Sequence, residues 1–315
     1  MRITFDNIIF ALQQYGGISV VWTELLKRAR ADQALQVTEL DYRTKMPYRW
    51  LERYREPVWK PTAPTLFHSS YFRVCTHPMV ANITTVHDLT YHFYRRSLAK
   101  AVHLQQEEHA LRHSAAVLCV SEHTKQDVLH AYPWLTEEQI HVVYNGVGEE
   151  FFPIPSVQKK GFLLYIGAGK AAYKRLDVAH MVARQTGLPL VQVDSPDVTR
   201  EQLNRYYNEA LCLLYPSDYE GFGLPILEAQ KAGCPVIAQA VASIPEVIGI
   251  DGLMVEHNTP ERVAAAMTDI VRELQSKPTQ AVIEAGIKNA NRFSWDKMYE
   301  QTKHVYESID YYHHI

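Results

Sequence analysis

The chain is short of cysteine, of long apolar runs and of any one sign of charge, and each shortage removes a class of protein. Only four cysteines occur in 315 residues. Cys75, Cys119, Cys212 and Cys234 stand far apart with no CxxC pair, so neither a zinc site nor a thiol redox motif is indicated. Cys119 and Cys212 sit in apolar runs (AVLCV, ALCLLYP), as buried thiols of a reducing compartment do. No stretch approaches the ~20 apolar residues of a membrane span, and MRITFDNIIF lacks the layout of a secretory signal. These absences predict a cytoplasmic protein. Lys and Arg number 32 against 35 Asp and Glu, a formal net charge of −3, without the basic excess of a nucleic-acid binder. The remainder, 47% hydrophobic and 21% charged, is ordinary for a globular chain. Its length predicts two domains.

What is present is a repeated rhythm of short apolar run, turn and amphipathic helix. Strand candidates in the first half are RITF, QVTEL, TLFHS, NITTV, AVLCV and IHVVY. The second half offers FLLYIG, PLVQV, ALCLLYP, PVIAQ and LMVE. Helical patterns such as SVVWTELLKRARA and RRSLAKAVHLQQEEHALRH lie between them. Alternation of this kind predicts parallel sheets with right-handed crossovers. The fold class is therefore α/β, with two Rossmann-like, doubly wound domains. The expected division is 1–153 and 154–315, because Pro153, Pro155 and the Lys159-Lys160 pair make a poor element interior.

Ligands of open α/β sheets collect at the carboxyl ends of strands, so polar residues there are the candidates. Gly16 and Gly17 precede a helix and let backbone N–H groups approach an anion. His87 closes the strand TTV at His-Asp, whereas His68 and His92 are weaker candidates among 15 histidines. Gly167 ends the strand YIG, and Lys170, Lys174 and Arg175 follow where a diphosphate could be neutralised. The strongest segment is PSDYEGFGLPILEA. It leads from a strand through Glu220, Phe222, Gly223 and Leu224, past Pro225 at a first helical position, to Glu228 on the helix. Two carboxylates on one strand–loop–helix unit suit the vicinal hydroxyls of a sugar. The expectation is that they face a cleft between the two domains, not interior ion pairs.

The segment PSDYEGFGLPILEAQKAGCPVIAQAVASIPEV resembles the signature of family 4 glycosyltransferases of the GT-B fold, with two glutamates separated by seven residues. YGGIS, VHDLTY, VSEHTKQDV, VVYNGV, YIG…YKR and FSWDKMYEQT are similar in order, so the resemblance covers essentially the whole chain. It implies that Glu220 contacts hydroxyls of the transferred sugar, that Glu228 holds the ribose, and that Lys174 lies at the diphosphate. It also implies a sugar contact for His87, amide approaches at Gly17 and Phe222–Leu224, and a structural role for Asn145. Two departures stand out. Lys170 occupies the stretch where the family has an arginine, keeping charge but losing a bidentate grip, and Val20 replaces an arginine after GGIS. The last helix, about 295–315, is expected to pack back on the N-terminal domain.

The resemblance further implies a retaining transfer of a hexose from a UDP-, GDP- or dTDP-sugar to a glycan or lipid-linked acceptor, in cell-surface polysaccharide synthesis such as O-antigen, capsule or exopolysaccharide. No metal and no other cofactor is expected, and no nucleic-acid partner. The stretch 41–60 interleaves six Lys/Arg and three Asp/Glu with aromatics. It is read either as a surface for an anionic membrane or as a solvated helix with packed tryptophans. The first reading adds the inner face of the cytoplasmic membrane as a location. Two rival functions stay open: a non-catalytic nucleotide-sugar binder, and an epimerase or phosphorylase on the same scaffold.

Overall fold

In a computed structural model of the protein the described residues are 1–13, 15–41, 49–94, 98–167, 169, 171–194, 198–277 and 279–309. The chain divides into two compact units, Met1–Asn145 with Trp295–Ile315, and Gly146–Ser294. The first unit holds β1 (Arg2–Asp6), β2 (Gln36–Leu40), β3 (Thr65–Ser69), β4 (Val80–Val86), β5 (Ser114–Cys119) and β6 (Ile140–Val142). They form one sheet, ordered β2-β1-β3-β4-β5-β6, with every pairing parallel. Its helices are α1 (Ile9–Leu12), α2 (Gly17–Ala31), α3 (Thr90–Tyr94), α4 (Leu98–Arg112), α5 (Glu122–Ala131) and α12 (Trp295–Ser308). β3 is buried at all five positions, as a central parallel strand covered on both faces must be.

α2 forms because Val21, Trp22, Leu25, Leu26 and Ala29 line one face at helical spacing,. Trp22 packs edge-on to Phe5 at 5.7 Å and donates its indole N–H to Asn7 Oδ1 at 2.7 Å. The C-terminal helix α12 belongs to this unit. Arg28 meets Asp296 at 2.7 Å and Lys303 meets Asp32 at 2.7 Å, joining it to α2. Beneath them His68 bridges α12 and the sheet, with Nδ1 2.6 Å from Tyr306 Oη and Nε2 2.8 Å from Thr85 Oγ1. His68 is thus an interior hydrogen-bonding residue.

The second unit holds β7 (Leu163–Ile166), β8 (Leu190–Val193), β9 (Cys212–Tyr215), β10 (Val236–Gln239) and β11 (Leu253–Val255). Their order is β11-β10-β9-β7-β8, again parallel throughout. The helices are α6 (Leu176–Thr186), α7 (Arg200–Glu209), α8 (Leu224–Lys231), α9 (Ile244–Ile248), α10 (Pro260–Ser276) and α11 (Gln280–Ala290). In each unit the first two strands are neighbours and the third lies on the far side of the first. The winding reverses there, between β1 and β3 and between β7 and β9. A reversal of that kind opens a crevice at the carboxyl ends of the two strands.

The division at Asn145 and Gly146 falls earlier than the one predicted at residue 153. The cause is local: Phe152 N donates to Asn204 Oδ1 at 3.1 Å, and Ile154 N donates to Asn208 Oδ1 at 2.6 Å. Asn208 Nδ2 returns a bond to Phe152 O at 3.0 Å. The proline-bearing stretch is therefore fastened to α7, not a linker. All four cysteines are free and buried. Among the described residues no helix is long and apolar enough to cross a membrane.

Burial holds the pKa of His68 down at about 3 and that of His87 down at about 4. Each unfolds to a histidine near 6.5, so between pH 6.5 and 4 the unfolded chain binds protons that the native state refuses, and stability falls with pH. Urea midpoints measured from pH 7.5 to 5 are expected to drop below pH 6.5. A midpoint flat across that window contradicts the burial of both imidazoles.

Candidate functional site

The second unit's reversal point carries the charged groups. After β7 the chain makes a short turn, Ala172–Lys174, whose shape is fixed from two sides. Tyr165 Oη donates to Lys174 O at 3.1 Å, and Asp218 N donates to Tyr173 O at 2.7 Å. After β9 the loop brings up Glu220. The buried Ser243 hydroxyl holds that loop, at 2.8 Å from Glu220 O and 3.1 Å from Phe222 O. These anchors place Lys174 Nζ 2.7 and 2.9 Å from the two carboxylate oxygens of Glu220.

Glu220 is 9% exposed, so the pair sits in a medium where charge is costly unless matched. Desolvation is the largest single influence and lowers the Lys174 pKa, but the charge and hydrogen bond of Glu220, with Tyr173 and Tyr165, together carry the net shift upward. The ammonium stays charged. The buried Tyr215 phenol, hydrogen-bonded to Glu220, has its pKa raised, first by desolvation and then by Glu220. It therefore remains a neutral hydroxyl beside the carboxylate.

Glu228 enters from α8. That helix starts at Gly223, whose φ of +99° and ψ of 53° are left-handed and favour glycine,. Pro225 occupies its first turn, where a missing N–H costs nothing. Glu228 Oε1 accepts from Arg200 Nη1 at 2.9 Å and Oε2 accepts from Tyr207 Oη at 3.0 Å. Desolvation raises its pKa against the pull of Arg200. The two glutamates are thus already ion-paired, which corrects the expectation of two open carboxylates. The reason is physical: a carboxylate this deep persists only with a cation or hydroxyl on it. Each carboxylate has about four lone-pair sites, and the described bonds to Glu228 use two of them. Acceptor capacity for ligand hydroxyls is left.

Other predicted site residues divide clearly. Gly223 and Leu224 open α8 as expected, while the Phe222 ring turns inward, edge-on to Phe293 at 5.9 Å. Gly167 has a φ of +137° and donates its N–H to Val193 O at 2.8 Å. Arg175 is ion-paired within the second unit. Its guanidinium lies 3.0 and 2.7 Å from Asp177 and 3.4 Å from Asp218, and its own φ of 52° makes it the cap of α6. Two nearby carboxylates claim that cation. Lys170 lies outside the described residues.

In the first unit Gly16 caps α2 with a φ of 152°, and Gly17 is the helix's first residue. A side chain is strained at that φ, so the turn favours glycine,. His87 follows β4. The residue as a whole is only partly buried, but its Nε2 is buried with no hydrogen-bond partner among the described residues. His92 is engaged by Glu107 at 3.1 Å, and Asn145 is buried. Of the stretch 41–60, residues 42–48 lie outside the described ones. Elsewhere in it Trp59 stacks on Phe67 at 6.1 Å, while Arg55, Glu56, Val58 and Lys60 are exposed.

Ser243, Tyr215, Tyr207 and Arg200 were not read as site residues from the sequence. Only SIPEV within the glutamate-bearing segment hinted at Ser243. Among the described residues no group of three or more His, Cys, Asp or Glu side chains is placed to hold a metal ion. A separate cavity of about 240 Å³ is lined by Cys234, Ile248, Gly249, Asp251, Lys288 and Asn289, among others. Its buried polar groups satisfy each other, with Asn289 Nδ2 donating to Gln230 Oε1 at 2.7 Å.

Two doubly wound parallel-sheet units with charged loops at the strand ends define the GT-B class. Structural comparison agrees. Sucrose-phosphate synthase from Thermosynechococcus elongatus superposes with a TM-score of 0.74 over 98% of each chain at 17% identity. HepE from Anabaena, described in complex with UDP-glucose, superposes with a TM-score of 0.69 over 98% of this chain and 100% of its own, at 15% identity. Residues 153–273 match the family model "Glycosyl transferases group 1", and residues 42–151 match "Glycosyltransferase Family 4". O-antigen chain mannosyltransferase B of Escherichia coli is 39% identical over 113 residues, 36% of this chain and 29% of that protein. The chain belongs to the family 4 glycosyltransferases. It spans between 27% and 65% of the length of the curated relatives it matches.

Replacing Lys174 with Met leaves the buried Glu220 carboxylate without its cation. The loss is expected to be on the order of 2 kcal/mol of stability near neutral pH. Denaturant unfolding at pH 7 measures it, and a variant as stable as the wild type contradicts the pairing.

Proposed function

We propose that the protein is a retaining, metal-independent glycosyltransferase that moves a hexose from a nucleoside-diphosphate sugar to a glycan or lipid-linked glycan. The product would be a cell-surface polysaccharide. One observation carries this reading: a charged lysine held on Glu220 at the reversal point of a doubly wound sheet, with Glu228 on the adjoining helix. A helix start and a cation beside it suit a diphosphate, and two carboxylates suit the hydroxyls of a sugar and a ribose. The resemblance of the glutamate-bearing segment and the O-antigen mannosyltransferase of Escherichia coli support the choice of donor and pathway.

In the proposed reaction the bond between the anomeric carbon and the diphosphate oxygen breaks. The acceptor hydroxyl oxygen forms a bond to the same carbon from the same face, and its proton passes to the departing diphosphate. Lys174 and the amides at Gly223 and Leu224 offset the charge that grows on the leaving group. Glu220 holds sugar hydroxyls, Glu228 holds the ribose, and His87, neutral at pH 7, contacts the donor sugar. Lys170 and the Gly16-Gly17 turn are assigned to the donor phosphates. The acceptor is placed with the first unit, and the exposed part of 41–60 is assigned to an anionic membrane surface.

Donor turnover, including slow hydrolysis without acceptor, separates this reading from a non-catalytic binder. Glu220→Ala is expected to lower kcat on the order of a hundredfold or more with the fold retained. Full activity in that variant overturns the role of Glu220. Activity should persist in EDTA, because the cations are supplied by the chain; loss restored by Mg²⁺ would refute metal independence.

A further inference from the structure

Arg200 has no part in the reaction just proposed, yet it is held more tightly than a surface arginine needs to be. It opens α7 directly after a capping box, in which Thr199 N donates to Gln202 Oε1 at 2.8 Å and Gln202 N donates to Thr199 Oγ1 at 3.1 Å. From that fixed start the guanidinium reaches three groups. Nη1 lies 2.9 Å from Glu228 Oε1, and Nη2 lies 2.8 Å from Glu150 Oε1, with Nε also 2.9 Å from that oxygen. Its Cζ sits 4.6 Å from the centroid of the Phe151 ring. Phe151 is fully buried and braced edge-on by Tyr207 at 5.8 Å. The side chains of Arg200 and Glu150 remain 37% and 42% exposed, so a ligand can reach them.

One guanidinium bonded to both carboxylates puts Glu150 a guanidinium's width from Glu228. If Glu228 holds the ribose, the base attached to that ribose extends over the same few ångströms. What meets it there is a fork of donors beside a carboxylate acceptor. Guanine presents an acceptor, O6, next to two donors, N1–H and N2–H, so a carboxylate can take both donors while an arginine takes the O6/N7 edge. Uracil and thymine present a single N–H between two carbonyls. A carboxylate there sets one of its oxygens against a carbonyl, and the desolvated lone pairs go unmatched.

We propose that Glu150 and Arg200 form the base-reading edge of the donor site and select guanine, so that the donor is a GDP-sugar. The proposal rests on the reading that Glu228 binds the nucleotide's ribose.

The test is calorimetric titration of the full chain with GDP, UDP and dTDP, repeated on Glu150→Gln. In the wild type GDP should bind at least about tenfold more tightly than either pyrimidine nucleotide. Glu150→Gln, which replaces an acceptor oxygen by a donor, should erase most of that preference while UDP affinity changes little. Glu149→Gln, at the neighbouring exposed carboxylate that pairs with Lys231, should preserve it, and matching denaturation curves show that the variants fold. Tighter binding of UDP or dTDP, or a GDP preference that survives Glu150→Gln, overturns the base assignment alone. If none of the three nucleotides binds the wild type, the functional reading fails and this assignment fails with it.

Discussion

The contact between Lys174 and Glu220 is the constraint on which the rest of the candidate site depends. It ties the turn after β7 to the loop after β9, the two strands between which the winding of the second unit reverses. Neither partner could hold its position alone. Burial alone disfavours the ammonium of a lysine this close to the sheet,. Paired with Glu220, the ammonium stays charged at the strand ends. A ligand with phosphates and hydroxyls can exchange with such a pair at little electrostatic cost, because it offers each partner a replacement.

Around that pair lies a shell of neutral donors whose work is to hold shape. Ser243 fastens the backbone of the Glu220 loop, Tyr165 fastens the carbonyl of Lys174, and Tyr207 fills the second oxygen of Glu228. Burial keeps the tyrosines protonated at every physiological pH, so they donate whatever the state of the carboxylates. The result is a site whose charges are paired and whose hydrogen-bond geometry is set before any ligand arrives. That is the condition under which electrostatic stabilisation is most effective.

The fold was largely legible in the sequence. Each apolar run named from the sequence becomes a parallel strand, and those covered on both faces, such as β3 and β9, owe their legibility to continuous apolar character,. The positions of Glu220 and Lys174 were legible too, since they fall in the loops that follow such runs, and that of Glu228 from the proline that opens its helix. What escaped was everything set by the approach of distant segments. Arg175 looked like a free cation until folding brought Asp218 to it. Pro153 and Pro155 looked like a linker until Asn204 and Asn208 bound the backbone around them. His68 could not be told from a surface histidine without Tyr306, which lies 238 positions away. Arg200 carried no motif, and its partners Glu150 and Glu228 come from two other elements.

The most direct measurement is a crystal structure of the protein with a nucleoside diphosphate bound. The expected density has phosphate oxygens within hydrogen-bonding distance of Lys174 Nζ, the ribose hydroxyls on Glu228, and the Lys174–Glu220 contact lengthened to admit the ligand. A nucleotide seated elsewhere, for instance in the cavity beside Cys234 and Asn289, with Lys174 and Glu220 still bonded to each other, contradicts the assignment of this site.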